Sequence, residues 1–222
     1  MSATLGPAAA TALTEATATA ATSQTTATVT VNTVEALATI PAMLIGANTA
    51  IYDGLLTHPT TADLPSAAGV NYLRHPGGSH SDVYHWQTHT AENGAYIGPA
   101  NTFDAFVTTA RSAGAQPIIT ANYGSGTPQE AAAWVRYANT TQGYGVTYWE
   151  IGNEVFGNGH YGSSWEYDTH ADKSPRAYRT AVLDFISAMK AADPTIKVGI
   201  ALTTPGQWPD GVAGPGDTAR ST

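Results

Sequence analysis

The chain has 222 residues, enough for one large domain or two small ones and for a proper apolar core. Only 12% of the residues are charged, nine basic against seventeen acidic, and the formal charge of −8 with no Lys or Arg before Arg74 leaves no basic stripe for nucleic acid or an anionic membrane. The absence of cysteine excludes disulfides, thiolate metal sites and a Cys nucleophile, while eleven Tyr and five Trp among many Asn, Thr and Gly suit both an ordinary secreted protein and a binder of flat, hydroxylated ligands.

Residues 1–28 hold ten Ala and nine Thr, with neither a basic n-region nor a continuous apolar run. That composition makes neither a signal peptide nor a membrane span. It predicts a flexible tail or linker over residues 1–24, of the kind left after an export signal, and so an extracellular protein whose signal is not visible here. Residues 25–32, TTATVTVN, alternate well enough for a strand. Apolar strand-like runs then follow at 43-MLIGAN-48, 70-VNYLRH-75, 116-QPIITAN-122, 146-VTYWEI-151 and 196-IKVGIAL-202.

Three helical patterns fall between the later runs. In 102-TFDAFVTTARSAG-114, Phe103, Phe106, Val107 and Ala110 share a face and Gly114 ends the helix. Thr127-Pro128-Gln129-Glu130 reads as a capping box with proline in the first turn, leading into Ala131, Trp134, Val135 and Ala138. Ser174-Pro175 opens the third, which carries Tyr178, Val182, Phe185, Ile186 and Met189 before Asp193-Pro194.

Apolar strands alternating with amphipathic helices predict a parallel sheet covered by helices. A doubly wound nucleotide-binding sheet should carry Gly-x-Gly-x-x-Gly after its first strand, and 43-MLIGANTAIYDG-54 does not; 123-YGSGTP-128 likewise lacks the ending of a phosphate loop. Polar residues gather instead at the carboxyl ends of successive strands: Asn48, Arg74, Asn122, then Asn153 and Glu154. A (β/α)8 TIM barrel keeps its active site there. The barrel is the expected fold.

The segments 72-YLRHPGGSHSDVYHW-86, 118-IITANYGSGTPQEAAAWVRYAN-139 and 147-TYWEIGNEVFG-157 resemble glycoside hydrolases of clan A, and within it the α-L-arabinofuranosidase-like branch. The resemblance covers about residues 25–222 and implies a retaining hydrolase of plant cell-wall type glycosides. It implies that Glu154 is the general acid/base and that Asn153 hydrogen-bonds the sugar 2-hydroxyl. It implies for Arg74 the part of the arginine that keeps the nucleophile ionised. Asn48, Asn122, Tyr123 and Trp86 complete the candidate substrate contacts; Trp86, Tyr123, Tyr161 and Trp165 each suit either a sugar-stacking platform or the core, and Trp86 and Tyr123 are the two taken as platforms.

Retention requires a carboxylic acid and a carboxylate about 5 Å apart. Glu154 fits the acid, with Gly152 bending the strand end and partial desolvation expected to favour its protonated form. Glu150 lies four residues away, about 13 Å along a strand. It is read as a buried structural acid paired with Arg74, and Glu166 and Asp168 as solvated loop carboxylates. His75, His80, His85 and His89, spaced by five, five and four, match no compact ligand motif, so neither metal nor cofactor is expected.

A barrel of this type takes about 250 residues and eight strands. Five barrel strands are legible, and the sequence closes on 209-PDGVAGPGDTARST-222 in the loop after the fifth. The expectation is therefore an incomplete barrel over residues 25–222 with no nucleophile, and little or no glycosidase activity from this chain alone. Three readings stay open: an interrupted hydrolase, a non-catalytic carbohydrate-binding or scaffold protein, and a fragment completed by another chain. Open sheet edges would favour self-association or a covering segment. An oligo- or polysaccharide is the expected partner, with no nucleic acid and no membrane.

Overall fold

A computed structural model describes residues 44–202, together with residues 28, 38 and 39. Every described helix and strand belongs to the unit Ile40–Thr222. The tail expected at 1–24, the strand expected at 25–32 and the closing loop 209–222 lie outside the described residues, Thr28 apart.

In chain order the elements are β1 (Gly46–Asn48), α1 (Asp63–Ala67), β2 (Tyr72–His75), β3 (Tyr84–His85), β4 (Thr90–Ala91) and α2 (Phe103–Ser112). They continue with β5 (Gln116–Ala121), α3 (Pro128–Arg136), β6 (Tyr148–Ile151), α4 (Pro175–Ala192) and β7 (Lys197–Ile200). The five expected strands are β1, β2, β5, β6 and β7. They form one parallel sheet in that order, each pairing with its successor. An order without reversal has no switch-point crevice, which separates this sheet from the doubly wound class. Among the described residues the sheet is open, with β1 and β7 as its edges and Leu44, Ile200 and Leu202 exposed beside them.

The three expected helices begin where their capping residues stand. The Thr102, Thr127 and Ser174 hydroxyls accept the N–H groups of Ala105, Glu130 and Ala177 at 3.3, 3.1 and 3.2 Å. Each cap satisfies a donor that the first helical turn leaves without a partner. Besides short 3-10 turns at Gly78–Asp82 and Val155–Gly157 and a π turn at Tyr137–Thr141, the elements the sequence reading missed are α1 and the antiparallel β3–β4 ribbon. The helix is five residues long with Pro65 inside it, and each ribbon strand has two residues. Neither is long enough to display a hydrophobic period.

Pleating sends neighbouring residues to opposite faces. Leu73, His75, Ile119, Ala121, Trp149 and Ile151 point into a core shared with Phe103, Phe106, Trp134, Val135, Phe185 and Met189. The other face carries Tyr72, Arg74, Ile118, Tyr148 and Glu150, all partly exposed. Packing thus occupies one side, and polar side chains at the carboxyl ends of the strands occupy the other.

Candidate active site

The tip of β6 is bent by two residues with left-handed backbone. Gly152 has φ 74°, and a Cβ there would stand 2.7 Å from Val155 Cγ2. Glu154 follows with φ 40°, a conformation that costs a side-chain-bearing residue about 1–2 kcal/mol. A buried carboxylate from another loop holds this bend. Asp82, 1% exposed, accepts the Asn153 N–H at 2.9 Å through Oδ2 and the Tyr123 and Gly124 N–H groups at 3.2 Å through Oδ1. One side chain therefore ties the loop after β2 to the ends of β5 and β6. Burial pushes its carboxyl up to about 7 despite the three N–H donors, and the negative charge of Glu166 adds to the rise.

Arg74 joins three strand ends. Its Nε donates to Glu150 Oε2 at 2.5 Å, Nη1 to Asn48 Oδ1 at 3.1 Å and Nη2 to Asn153 Oδ1 at 3.2 Å. The expected Arg74–Glu150 pair is formed, although Glu150 is half-buried and not buried as the sequence suggested. Its Oε2 also accepts the Thr120 hydroxyl at 3.0 Å. The other end of the Asn153 amide donates to Glu166 Oε1 at 2.8 Å, and the Ser79 hydroxyl donates to the same oxygen at 2.7 Å.

Glu166 is therefore no solvated loop acid. It is 4% exposed, and burial raises its carboxyl above the usual range while the bonds from Ser79 and Asn153 oppose the rise. Asp168 is buried as well, accepting from the Asn158 amide and from His170. The reading of both as solvated failed because their partners lie on other loops or within a folded turn, which residue type does not reveal. Glu154 departs from expectation the other way. It is exposed, and its Oε2 accepts the Trp165 indole N–H at 2.9 Å, while Oε1 has no hydrogen-bond partner among the described residues.

Asn48, Arg74, Asn153 and Glu154 thus share one end of the sheet, joined there by Glu166 and Trp165 and by Asp82, to which the sequence reading assigned no role. Asn122, Tyr123 and Trp86 are engaged elsewhere. The Asn122 amide donates to Tyr84 O and Ser125 Oγ and accepts the Ser125 N–H, closing its own turn. Tyr123 is 2% exposed, stacked on His170 and edge-on to Tyr178. Trp86 stacks on Trp134 and donates its N–H to Glu130 O at 3.2 Å.

The four early histidines take four separate environments. His75 is stacked on Phe106 in the core, and His80 lies against Tyr52. His85 sits between Glu92 and Glu130, and His89 between Tyr84 and Gly98 O. Among the described residues no group of three or more His, Cys, Asp or Glu could hold a metal ion, and no helix is long and apolar enough to cross a membrane.

No protein-family model matches the chain. It is 30% identical over 155 residues to a probable alpha-L-arabinofuranosidase C from Aspergillus clavatus, covering 58% of this chain and 29% of that protein. It is 31% identical over 157 residues to alpha-L-arabinofuranosidase C from Emericella nidulans, again with 58% and 29% covered. The chain therefore spans under a third of the length of these curated relatives. Among solved structures, the arabinose complex of an alpha-L-arabinofuranosidase from Thermotoga maritima matches with a TM-score of 0.55 and 26% identity, over 70% of this chain and 39% of that one. A family 51 enzyme from Bifidobacterium longum matches in fold, with a TM-score of 0.59 and 22% identity over 75% and 39%.

Proposed function

We propose that this chain, related over part of its length to the α-L-arabinofuranosidase-like branch of glycoside hydrolase clan A, carries the acid/base half of a retaining glycosidase site. One observation carries the reading: Asn153 and Glu154 stand together at the carboxyl end of β6, braced by Arg74 from β2 and Asp82 from the next loop. The singly wound order of five parallel strands supports a (β/α)8 barrel arc around that end. An α-L-arabinofuranoside is the proposed substrate class, taken from the relatives, and an exported protein is the proposed setting.

Exposure lets Glu154 reach a bound glycoside. With the Trp165 N–H on Oε2, the proton sits on Oε1 and passes to the leaving oxygen as the glycosidic bond breaks. The nucleophilic carboxylate comes from outside the described residues. Glu150 is bound to Arg74 and Thr120, and Glu166 to Ser79 and Asn153, so neither is free to attack. Asn153, oriented at both ends of its amide, offers the sugar 2-hydroxyl a contact that strengthens as positive charge develops on the ring.

The test is Glu154→Ala in the full-length protein. Hydrolysis of unactivated glycosides should fall by about a hundredfold or more, and that of activated aryl glycosides far less, because only poor leaving groups need protonation. Equal losses for the two classes, or none, reject the assignment. Binding of oligosaccharide by the wild-type protein with no turnover favours the non-catalytic reading instead.

A further inference from the structure

One cleft is built from residues that the proposed chemistry does not use. It has a volume of about 300 Å³ and sits between the turn of the β3–β4 ribbon, the first turn of α2 and the end of α3. Trp86 and Gln87 line it from the ribbon, Phe103 and Asp104 from α2, and Tyr137 from α3. Among the described residues none of these five hydrogen-bonds to Arg74, Asn153 or Glu154. Trp86 is held on three sides. Its N–H donates to Glu130 O at 3.2 Å, one face stacks on Trp134 at 5.7 Å, and Tyr137 leans against it at 5.1 Å. Trp134 is buried beneath, so the half-buried Trp86 turns its other face to the cleft. A ring already fixed in place loses little freedom when a ligand covers it, and burying that face is favourable.

Asp104 and Gln87 supply the polar side. Asp104 Oδ2 accepts the Tyr137 hydroxyl at 2.7 Å, and Oδ1 accepts the Tyr144 hydroxyl at 2.9 Å. Asp104 also stands in the first turn of α2, where unpaired N–H groups favour a carboxylate. Its charge is therefore met within the fold, and a cation would find little left to neutralise. Each carboxylate oxygen keeps a further lone pair, which suits a neutral hydroxyl. Gln87, exposed at the rim, adds both a donor and an acceptor. A pyranose with equatorial hydroxyls is the complement of such a cleft, with C–H faces for the indole and a polar edge for the carboxylate and amide. The volume is at the small end of ligand clefts, so one sugar ring enters and the rest of a chain stays outside.

We propose that this cleft is a separate, non-catalytic saccharide site. It holds one pyranose ring of a β-linked chain, with Trp86 as the platform and Asp104 and Gln87 as partners of the ring hydroxyls. The ligand class follows from the cleft's own residues and does not depend on the acid/base reading of Glu154. Where both hold, a grip on the polymer outside the active site raises the local concentration of glycosidic bonds around Glu154.

The test is calorimetric titration of the full-length protein with xylohexaose, whose xylose rings carry only equatorial hydroxyls. The wild type should bind it, and Trp86→Ala should weaken binding fivefold or more. No binding by the wild type overturns the proposal, and so does a smaller change in Trp86→Ala, which would put the sugar elsewhere on the protein. Circular dichroism and thermal melting report whether Trp86→Ala keeps its fold without the stack on Trp134. If it does not, Gln87→Ala decides, because that side chain is exposed: a loss of twofold or more upholds the site and a smaller one overturns it. A parallel titration uses tetramethylammonium chloride. Binding of that cation by the wild type, lost in Asp104→Asn, together with no binding of xylohexaose, overturns the proposal in favour of an organic-cation site. These readings involve no turnover, so failure of the saccharide site and failure of the glycosidase reading are told apart.

Discussion

Arg74 and His75 are neighbours on β2, and they face opposite sides of the same sheet. Arg74 spreads its guanidinium over Glu150, Asn48 and Asn153, joining three strand ends by hydrogen bonds. His75 is fully buried, stacked on Phe106 at 4.5 Å with Trp134 and Tyr84 edge-on to it, and neither ring nitrogen has a partner. Burial, helped by the nearby His89, lowers its pKa to about 3, so the ring behaves as a neutral aromatic. The comparison separates two tasks. Close packing of rings on the helix face holds the fold, and hydrogen bonds between strand ends hold the site.

The largest effect should come from breaking the packed side. Trp134 is buried and meets Trp86, Phe103, Trp149 and His75, so Trp134→Ala should cost about 3–5 kcal/mol. Urea unfolding should show the loss as a lower midpoint at unchanged slope. Asp82→Asn, on the site side, should cost less, about 1–3 kcal/mol, because the amide turns an N–H toward backbone donors and leaves one unmet. Its mark should be on activity, since the Asn153 N–H loses its anchor and the Asn153–Glu154 bend drifts. If Asp82→Asn proves the more destabilising of the two, or leaves activity at the wild-type level, the division of labour is wrong.

The pH dependence of stability sharpens the contrast with a smaller effect. The folded pKa of His75 is depressed to about 3, so below the unfolded value near 6.5 the unfolded chain binds the extra proton and stability falls as pH falls. The folded pKa of Asp82 is raised to about 7, so between about 4 and 7 the folded state holds the extra proton and stability falls as pH rises. Between pH 5.5 and 6.5 each contributes a slope of up to about 1 kcal/mol per pH unit, with opposite signs. In that window His75→Phe should leave stability falling with pH, and Asp82→Asn should leave it rising. Urea midpoints across the window read both slopes, and two variants tilting the same way would contradict the assignment.

Much of this molecule follows from local chemistry. The five strands, the three long helices with their Thr and Ser caps, and the Gly-Asn-Glu bend were legible because periodicity, capping and glycine act over a few residues. Arg74 and Glu150 were legible as a pair because two opposite charges on apolar strands need one another. Other features depend on groups far apart in sequence. Asp82 reaches Asn153 across 71 positions, and Ser79 reaches Glu166 across 87. No local pattern marks Asp82 as a buried anchor rather than a loop acid, or separates Trp165 beside Glu154 from Tyr123 in the core. Sequence by itself determined which segments become the five sheet strands and the three long helices and which carboxylate stands at the tip of β6. Only the tertiary structure decided what surrounds that carboxylate, because burial and hydrogen-bond partners are properties of loops meeting in space, and those loops meet only once the sheet has formed.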